Sequence, residues 1–472
     1  MANPAPELLL GIDVGTTWSK AAVVTLDGIE RGHGRRRTDW TEVRTGAEID
    51  PDRLAAGALD AARAALEAVP GGRVLGIGVT SMAETGVLLD RRGKRVTCSI
   101  AWHDERGGTQ ARALEQRFGA SFVERTGRSP TRLCSAAKLR WLMDNVRAAG
   151  HGARWLSVAE WVAHRLGAHQ VAEPSLACRT GFLDLRARKP WTEVVEWTGA
   201  PPPLLADVRP AGTPAGRARP DRRTGSRARP DRRTEGRAWI GIPSLDGAVV
   251  TVAGLDHSVA AVGAGATHAG DVFDSCGTAE AFIKAVEPLP GEARLAHVVA
   301  RGVNVDWHVI PERMALISGI HSGLAMLRML ARLGVDEADR ASLDRAALAI
   351  PTGANPVRVL DVLGTRPEIL GASSASPAHV WRATLDAIAE VGSGVLERIR
   401  SLSGPERRVV VAGGGARSAG VRAIKRAVLG PFVEPRVTEA GARGAALFGG
   451  LAAGVYPDVS SFPEPEMTSE EP

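Results

Sequence analysis

Hydrophobic and polar positions along this 472-residue chain fall into two alternating periods. Leu8–Asp13 is a short apolar run, Gly15-Thr16-Thr17 a turn, and Ser19–Leu26 a second run closed by Asp27-Gly28. Short apolar runs bracketed by turn residues predict strands. A helix is expected at about Arg53–Ala68 and another strand at Val74–Val79. Ser157-x-x-Glu160 forms a capping box that opens a helix ending at Gly167. Leu324, Leu327, Leu330 and Leu333 mark one helical face, closed by Gly334. Ser376-Pro377 starts a long helix in which Val380, Leu385, Ile388, Val391, Val395 and Ile399 keep helical spacing. The alternation predicts an α/β fold, and the length predicts two or three domains.

A fainter echo runs through the pattern. Asp271–Cys276 leads into Gly277-Thr278 and a second strand over Ala279–Val286, which repeats the plan of Ile12-Asp13-Val14-Gly15-Thr16. Two such units about 260 residues apart suggest duplicated domains that face each other.

Composition changes this picture little. Hydrophobic residues at 44% and charged residues at 24% are typical of a globular enzyme. The net charge of +6 is local: residues 217–237 hold nine arginines against Asp221, Asp231 and Glu235, so the rest of the chain is neutral. RARPDRRT occurs at Arg217–Thr224 and again at Arg227–Thr234, a tandem duplication read as a surface loop and not as a nucleic-acid face. The four cysteines form no CxxC pair, which predicts a reduced protein without a zinc site. Met1–Leu10 has no basic n-region, and no apolar run approaches membrane-spanning length; a cytoplasmic protein with no membrane partner is expected. The acidic segment Pro457–Pro472 reads as a poorly ordered terminus.

Three segments carry chemistry. The turn at Gly15-Thr16-Thr17 presents backbone N–H groups and two hydroxyls to one point, a cradle for an anion such as a triphosphate. Asp13 at the strand end is placed to hold Mg²⁺; the competing reading is an ordinary hairpin with an incidental Asp. Asp256, in Gly254-Leu255-Asp256-His257-Ser258, precedes the small-residue run Val259–Ala266. It is suited to accept a proton from a bound alcohol, or alternatively to cap that helix. Val409-Val410-Val411-Ala412 enters Gly413-Gly414-Gly415 and then a helix to about Leu429; these glycines permit close backbone approach to a flat ring or a phosphate. Downstream, Glu439–Ala446 is a helix of small residues able to pack closely on a neighbour.

In order and spacing these elements resemble the phosphate-1, phosphate-2 and adenosine motifs of the sugar kinase, actin and heat-shock ATPase fold. More narrowly the chain resembles the FGGY carbohydrate kinases, from Leu8 to about Tyr456. Ser81–Asp90, Ile100–Arg106, Lys138–Asn145 and Ser175–Gly181 match further pieces of that family. The resemblance implies two actin-like (ribonuclease H-like) domains flanking a catalytic cleft. Residues 1–265, with the arginine-rich insert 215–238, would bind sugar, residues 266–456 would bind nucleotide, and residues 457–472 would form a tail.

It also implies roles for residues. Asp256 would be the catalytic base, and Asp13 would serve Mg²⁺–ATP. Gly15, Thr16, Thr17, Gly277 and Thr278 would meet the phosphates, and Gly413, Gly414 and Gly415 would lie against the nucleotide. Glu84, Trp102, Asp104 and His257 would face the substrate. Glu84 stands where xylulose kinases carry the His of Gln-Met-His-Gly and glycerol kinases the Glu of Gln-Arg-Glu-Thr. Met82 and Ala83 depart from both patterns, so neither standard enzyme is indicated. Leu133 breaks the start of the first family signature, and only His379–Asp386 keeps the end of the second. The implied activity is ATP-dependent phosphorylation of a ketose or related polyol by a monomer or homodimer; the rival reading is a non-catalytic sugar or nucleotide sensor on the same fold.

Overall fold

A computed structural model describes residues 5–202, 204–219, 243–277, 279–371 and 375–468. The arginine repeat from Pro220 onward, and Thr278, lie outside the described residues. Two twisted sheets organise the chain. The first runs Gly216–Arg217, Val249–Leu255, Arg73–Ser81, Glu7–Val14, Trp18–Thr25, Glu30–Arg37. The second runs Asn304–Trp307, Met314–Ile320, Glu280–Val286, Asp271–Cys276, Arg408–Ala412.

The echo seen in the sequence is an echo in space. Glu7–Val14 pairs antiparallel with Trp18–Thr25 and parallel with Arg73–Ser81. Asp271–Cys276 likewise pairs antiparallel with Glu280–Val286 and parallel with Arg408–Ala412. Each hairpin turns through its glycine loop at the same end of its sheet. The central strands are apolar almost throughout: Leu8, Leu9, Leu10 and Ile12 are at most 1% exposed, as strands covered on both faces require.

One cover is the helix Ala440–Ala452, which returns from the second half of the chain to lie on Glu7–Val14, Arg73–Ser81 and the helix Asp256–Gly263. Its approach is close enough to touch backbone. A Cβ at Gly11 or Gly78 would strike the carbonyl of Ala442 or Ala445, and one at Gly444 would strike that of Val259. The small residues foreseen in this helix are therefore a packing requirement.

Two expectations are corrected. In the helix Ser322–Leu333, Leu324 and Leu327 are 41% and 46% exposed; the buried face is Ala325, Met326, Met329 and Leu330. A run of leucines at intervals of three drifts around a helix of 3.6 residues per turn, so it does not stay on one face. The acidic terminus is also ordered as far as Thr468. Phe462 packs edge-on against Phe448 and Tyr456, and Met467–Thr468 pairs with Glu434–Pro435. Its one aromatic residue, Phe462, anchors it to the fold.

Candidate active site

Three parallel strands end side by side: Val14 and Leu255 both pair with Ser81. The carboxyl edge of such strands is where α/β folds place ligands. This edge gathers Asp13, Glu84 and Asp256. Asp256 is the first residue of its helix, after Leu255 in extended conformation, so it is not the cap. Its Oδ1 accepts a hydrogen bond from the His257 N–H at 2.8 Å, and both residues stay half-buried beside the cleft.

Burial pushes the Asp13 carboxyl up to about 7, with Asp256 and Glu439 adding to the rise and Lys20 opposing it. Asp13 Oδ1 is buried with no hydrogen-bond partner among the described residues. Its other oxygen fits only because residue 441 is glycine: a Cβ there would come within 2.5 Å of Oδ2. A buried carboxylate oxygen without a partner fits a divalent cation such as Mg²⁺.

The first glycine loop is fastened from several sides. Gly15 O accepts from the Thr38 hydroxyl at 3.0 Å, and Thr16 O accepts from Trp40 Nε1 at 2.7 Å. Trp102 Nε1 donates to the Thr16 hydroxyl oxygen at 2.8 Å, and that hydroxyl points toward Met82 Sδ at 3.7 Å. Met82, a departure from the family pattern, thus supplies a weak acceptor beneath the loop. Thr17 is left exposed.

Glu84 has φ of 60°, the left-handed region that a non-glycine residue occupies at a cost of about 1–3 kcal/mol. Arg179 Nε donates to Glu84 Oε1 at 2.7 Å, Arg128 Nη1 reaches the same oxygen at 3.5 Å, and the Ser135 hydroxyl donates to the Glu84 carbonyl at 3.0 Å.

Asp104 does not join them. It is fully buried, and both oxygens are occupied by Arg106 and by the Ala47 N–H, at 2.8–2.9 Å. Its role is to fasten the segment that carries Trp102, which removes it from the expected sugar contacts. Lys138 donates to the Asp104 carbonyl at 3.1 Å, and burial pulls its ammonium down to about 8.

The second sheet contributes a pocket lined by Cys276, Gly277, Glu280, Ser322, Met326, Gly415 and Lys425 among others. Gly413 has φ of 116° and lies so close that a Cβ would meet the Cys276 carbonyl at 2.5 Å. The triple glycine and the second loop are thereby adjacent walls of one cavity. Cys276 is a buried residue whose thiol faces Asp274.

A chain of hydrogen bonds reaches the backbone next to Asp256. Glu160 closes the capping box through Oε2 and accepts from the Glu173 N–H through Oε1 at 2.9 Å. Glu173 Oε2 takes the Ser175 hydroxyl at 2.5 Å, and Ser175 Oγ accepts from the Leu255 N–H at 2.8 Å. This chain ends one residue before Asp256. Only the capping box had a local signature.

Two sheets that repeat one hairpin plan, each turning through glycine, have the actin-like fold of ATP-dependent phosphotransferases. Residues 8–226 match the family model described as FGGY family of carbohydrate kinases, N-terminal domain. The chain is 26% identical over 486 residues to a glycerol kinase of Bordetella parapertussis, covering 97% of this chain and 91% of that one. Xylulose kinase from Rhodospirillum rubrum superposes with a TM-score of 0.81 at 25% identity, covering 98% of this chain and 94% of the other. Plasmodium falciparum glycerol kinase with ADP superposes with a TM-score of 0.80 at 15% identity, over 99% of this chain and 94% of the other, a likeness of fold. These likenesses are those of a chain similar to the FGGY carbohydrate kinases, with the family's N-terminal domain matched over residues 8–226. Among the described residues no helix is long and apolar enough to cross a membrane.

Proposed function

We propose that this protein transfers the γ-phosphoryl group of ATP to a hydroxyl of a neutral ketose or related polyol, with Asp256 as the base. The observation that carries this reading is that Asp13, Glu84 and Asp256 fall at one strand edge of the first sheet, in a chain whose second sheet lines a pocket with Gly277 and Gly415. Asp256 accepts the proton of the attacking hydroxyl as the new O–P bond forms and the bond from the γ-phosphorus to the departing ADP breaks, a task for a positioned carboxylate. Thr16 and Thr17 orient the phosphates from one side, Gly277 and Thr278 from the other, and Gly413–Gly415 lie along the nucleotide. Asp13 would hold Mg²⁺, which when bound supplies charge neutralisation on the phosphates. His257 and Trp102 border the acceptor. Approach of the two halves excludes water that would otherwise take the phosphoryl group.

The reading rests on a substrate screen. Purified protein with Mg²⁺ and ATP should release ADP in response to one or a few members of a panel of pentuloses, hexuloses and polyols. ADP release that is independent of every acceptor would overturn it.

A further inference from the structure

Asp306 lies on Asn304–Trp307, the edge strand of the second sheet, yet its carboxylate serves the first half of the chain. It is 0% exposed. Arg128 Nη2 donates to Oδ1 at 2.6 Å and Arg179 Nη1 to Oδ2 at 2.8 Å. Those two arginines are the ones that hold Glu84. Two guanidiniums and two carboxylates therefore close a neutral cluster, buried at the substrate edge. Burial opposes ionisation of Asp306, but Arg128 and Arg179 hold its carboxyl below the usual range.

Removing one partner from a buried ionic cluster leaves an uncompensated charge, which seeks a counter-ion. Without Asp306 the two arginines would have Glu84 alone. They would draw it away from substrate and offer a positive charge to any acidic ligand in the cleft. With Asp306 in place neither guanidinium is in surplus. Among the described residues, the hydrogen bonds to the Glu84 carboxylate all fall on Oε1, which leaves Oε2 to accept from hydroxyls.

We propose that Asp306 is a specificity-determining residue: by neutralising Arg128 and Arg179 it frees Glu84 for hydroxyls and reserves the cleft for neutral polyols against sugar acids. This inference rests on the kinase reading above. Discrimination here comes from a deliberate absence of free positive charge as well as from contacts to the favoured substrate. The second half of the chain, assigned to nucleotide, thus also takes part in choosing the acceptor.

The test compares kcat/KM for the best neutral polyol of the screen with that for an aldonate of matching length, such as gluconate, in wild type, Asp306→Asn and Asp306→Asn/Arg128→Met. Asp306→Asn should lower the neutral-to-acid ratio at least tenfold, chiefly through KM, and adding Arg128→Met should restore much of it. Lys138 is the same in every variant, so the comparison isolates the cluster. A purely structural role would lower both activities together and leave the ratio within twofold, which overturns the inference while the kinase reading stands. Should Asp306→Asn not fold, Arg128→Met alone is expected to move the ratio further toward the neutral substrate; an unmoved ratio again overturns the inference. If wild type phosphorylates no polyol, the kinase reading falls and this inference with it.

Discussion

Trp102 Nε1 donates to the hydroxyl oxygen of Thr16 at 2.8 Å, a bond spanning 86 positions of sequence. It joins a segment flanking the substrate side of the cleft to the loop expected to meet phosphate. The bond fixes the Thr16 rotamer, so the loop is shaped before nucleotide arrives. Trp102→Phe keeps the ring but deletes the donor. A neutral hydrogen bond of this kind contributes about 1 kcal/mol, so kcat/KM for ATP should fall roughly fivefold with little change in thermal stability. Steady-state kinetics at saturating acceptor check this.

Ser175 places the catalytic edge by a different route. Its hydroxyl oxygen accepts from the Leu255 N–H while its proton goes to Glu173. Ser175→Ala strands a buried N–H and a buried carboxyl, and the residue that follows Leu255 is Asp256. We expect a stability loss of about 1–3 kcal/mol and a fall in kcat that exceeds any change in acceptor KM. Denaturant unfolding and initial-rate kinetics read the two effects separately.

Asp13 sets a pH dependence. Its carboxyl is raised to about 7 from 3.8, mainly by burial. A raised carboxyl binds more protons in the folded chain than in the unfolded one. Its stabilising contribution is full below about pH 4 and is lost as pH rises through about 7. A cation at Asp13 competes with that proton. The Mg²⁺ concentration for half-maximal turnover should therefore be several-fold higher at pH 6 than at pH 8, and Mg²⁺ should raise the melting temperature more at pH 8. Asp13→Asn should abolish both trends.

Lys425 neutralises two buried carboxylates beneath the second loop, Asp274 and Glu280, the latter at 2.5 Å. Lys425→Met fills the volume but leaves both acids unpaired. Loss of one partner in a buried pair costs about 3–5 kcal/mol, so the midpoint of urea unfolding should drop sharply at pH 8. The drop should shrink toward pH 5, where Asp274, whose carboxyl is raised by burial, takes a proton.

The strand–glycine–strand units, the capping box and the long helix Pro377–Ser403 were legible because each is written in contiguous residues. Asp13, Glu84 and Asp256 were brought together in the sequence only by the family resemblance, since Asp256 read alone could equally cap its helix. Arg128, Arg179 and Asp306 were not. Their pairings join residues 127 and 178 positions apart, and no spacing rule marks an arginine that will be buried. Asp104 misled for the converse reason: its motif is local, but its partner Ala47 is contributed by another strand. Leu324 and Leu327 show that a leucine interval alone does not identify the buried face of a helix.

The central claim is that Asp256 takes the proton from the acceptor. Asp256→Asn preserves size and the bond from the His257 N–H but cannot act as a base. With Mg²⁺, ATP and the preferred polyol, its kcat should fall by about a thousandfold or more, within the range for a lost general base, while nucleotide binding by calorimetry stays within threefold. A kcat within tenfold of wild type would contradict the account.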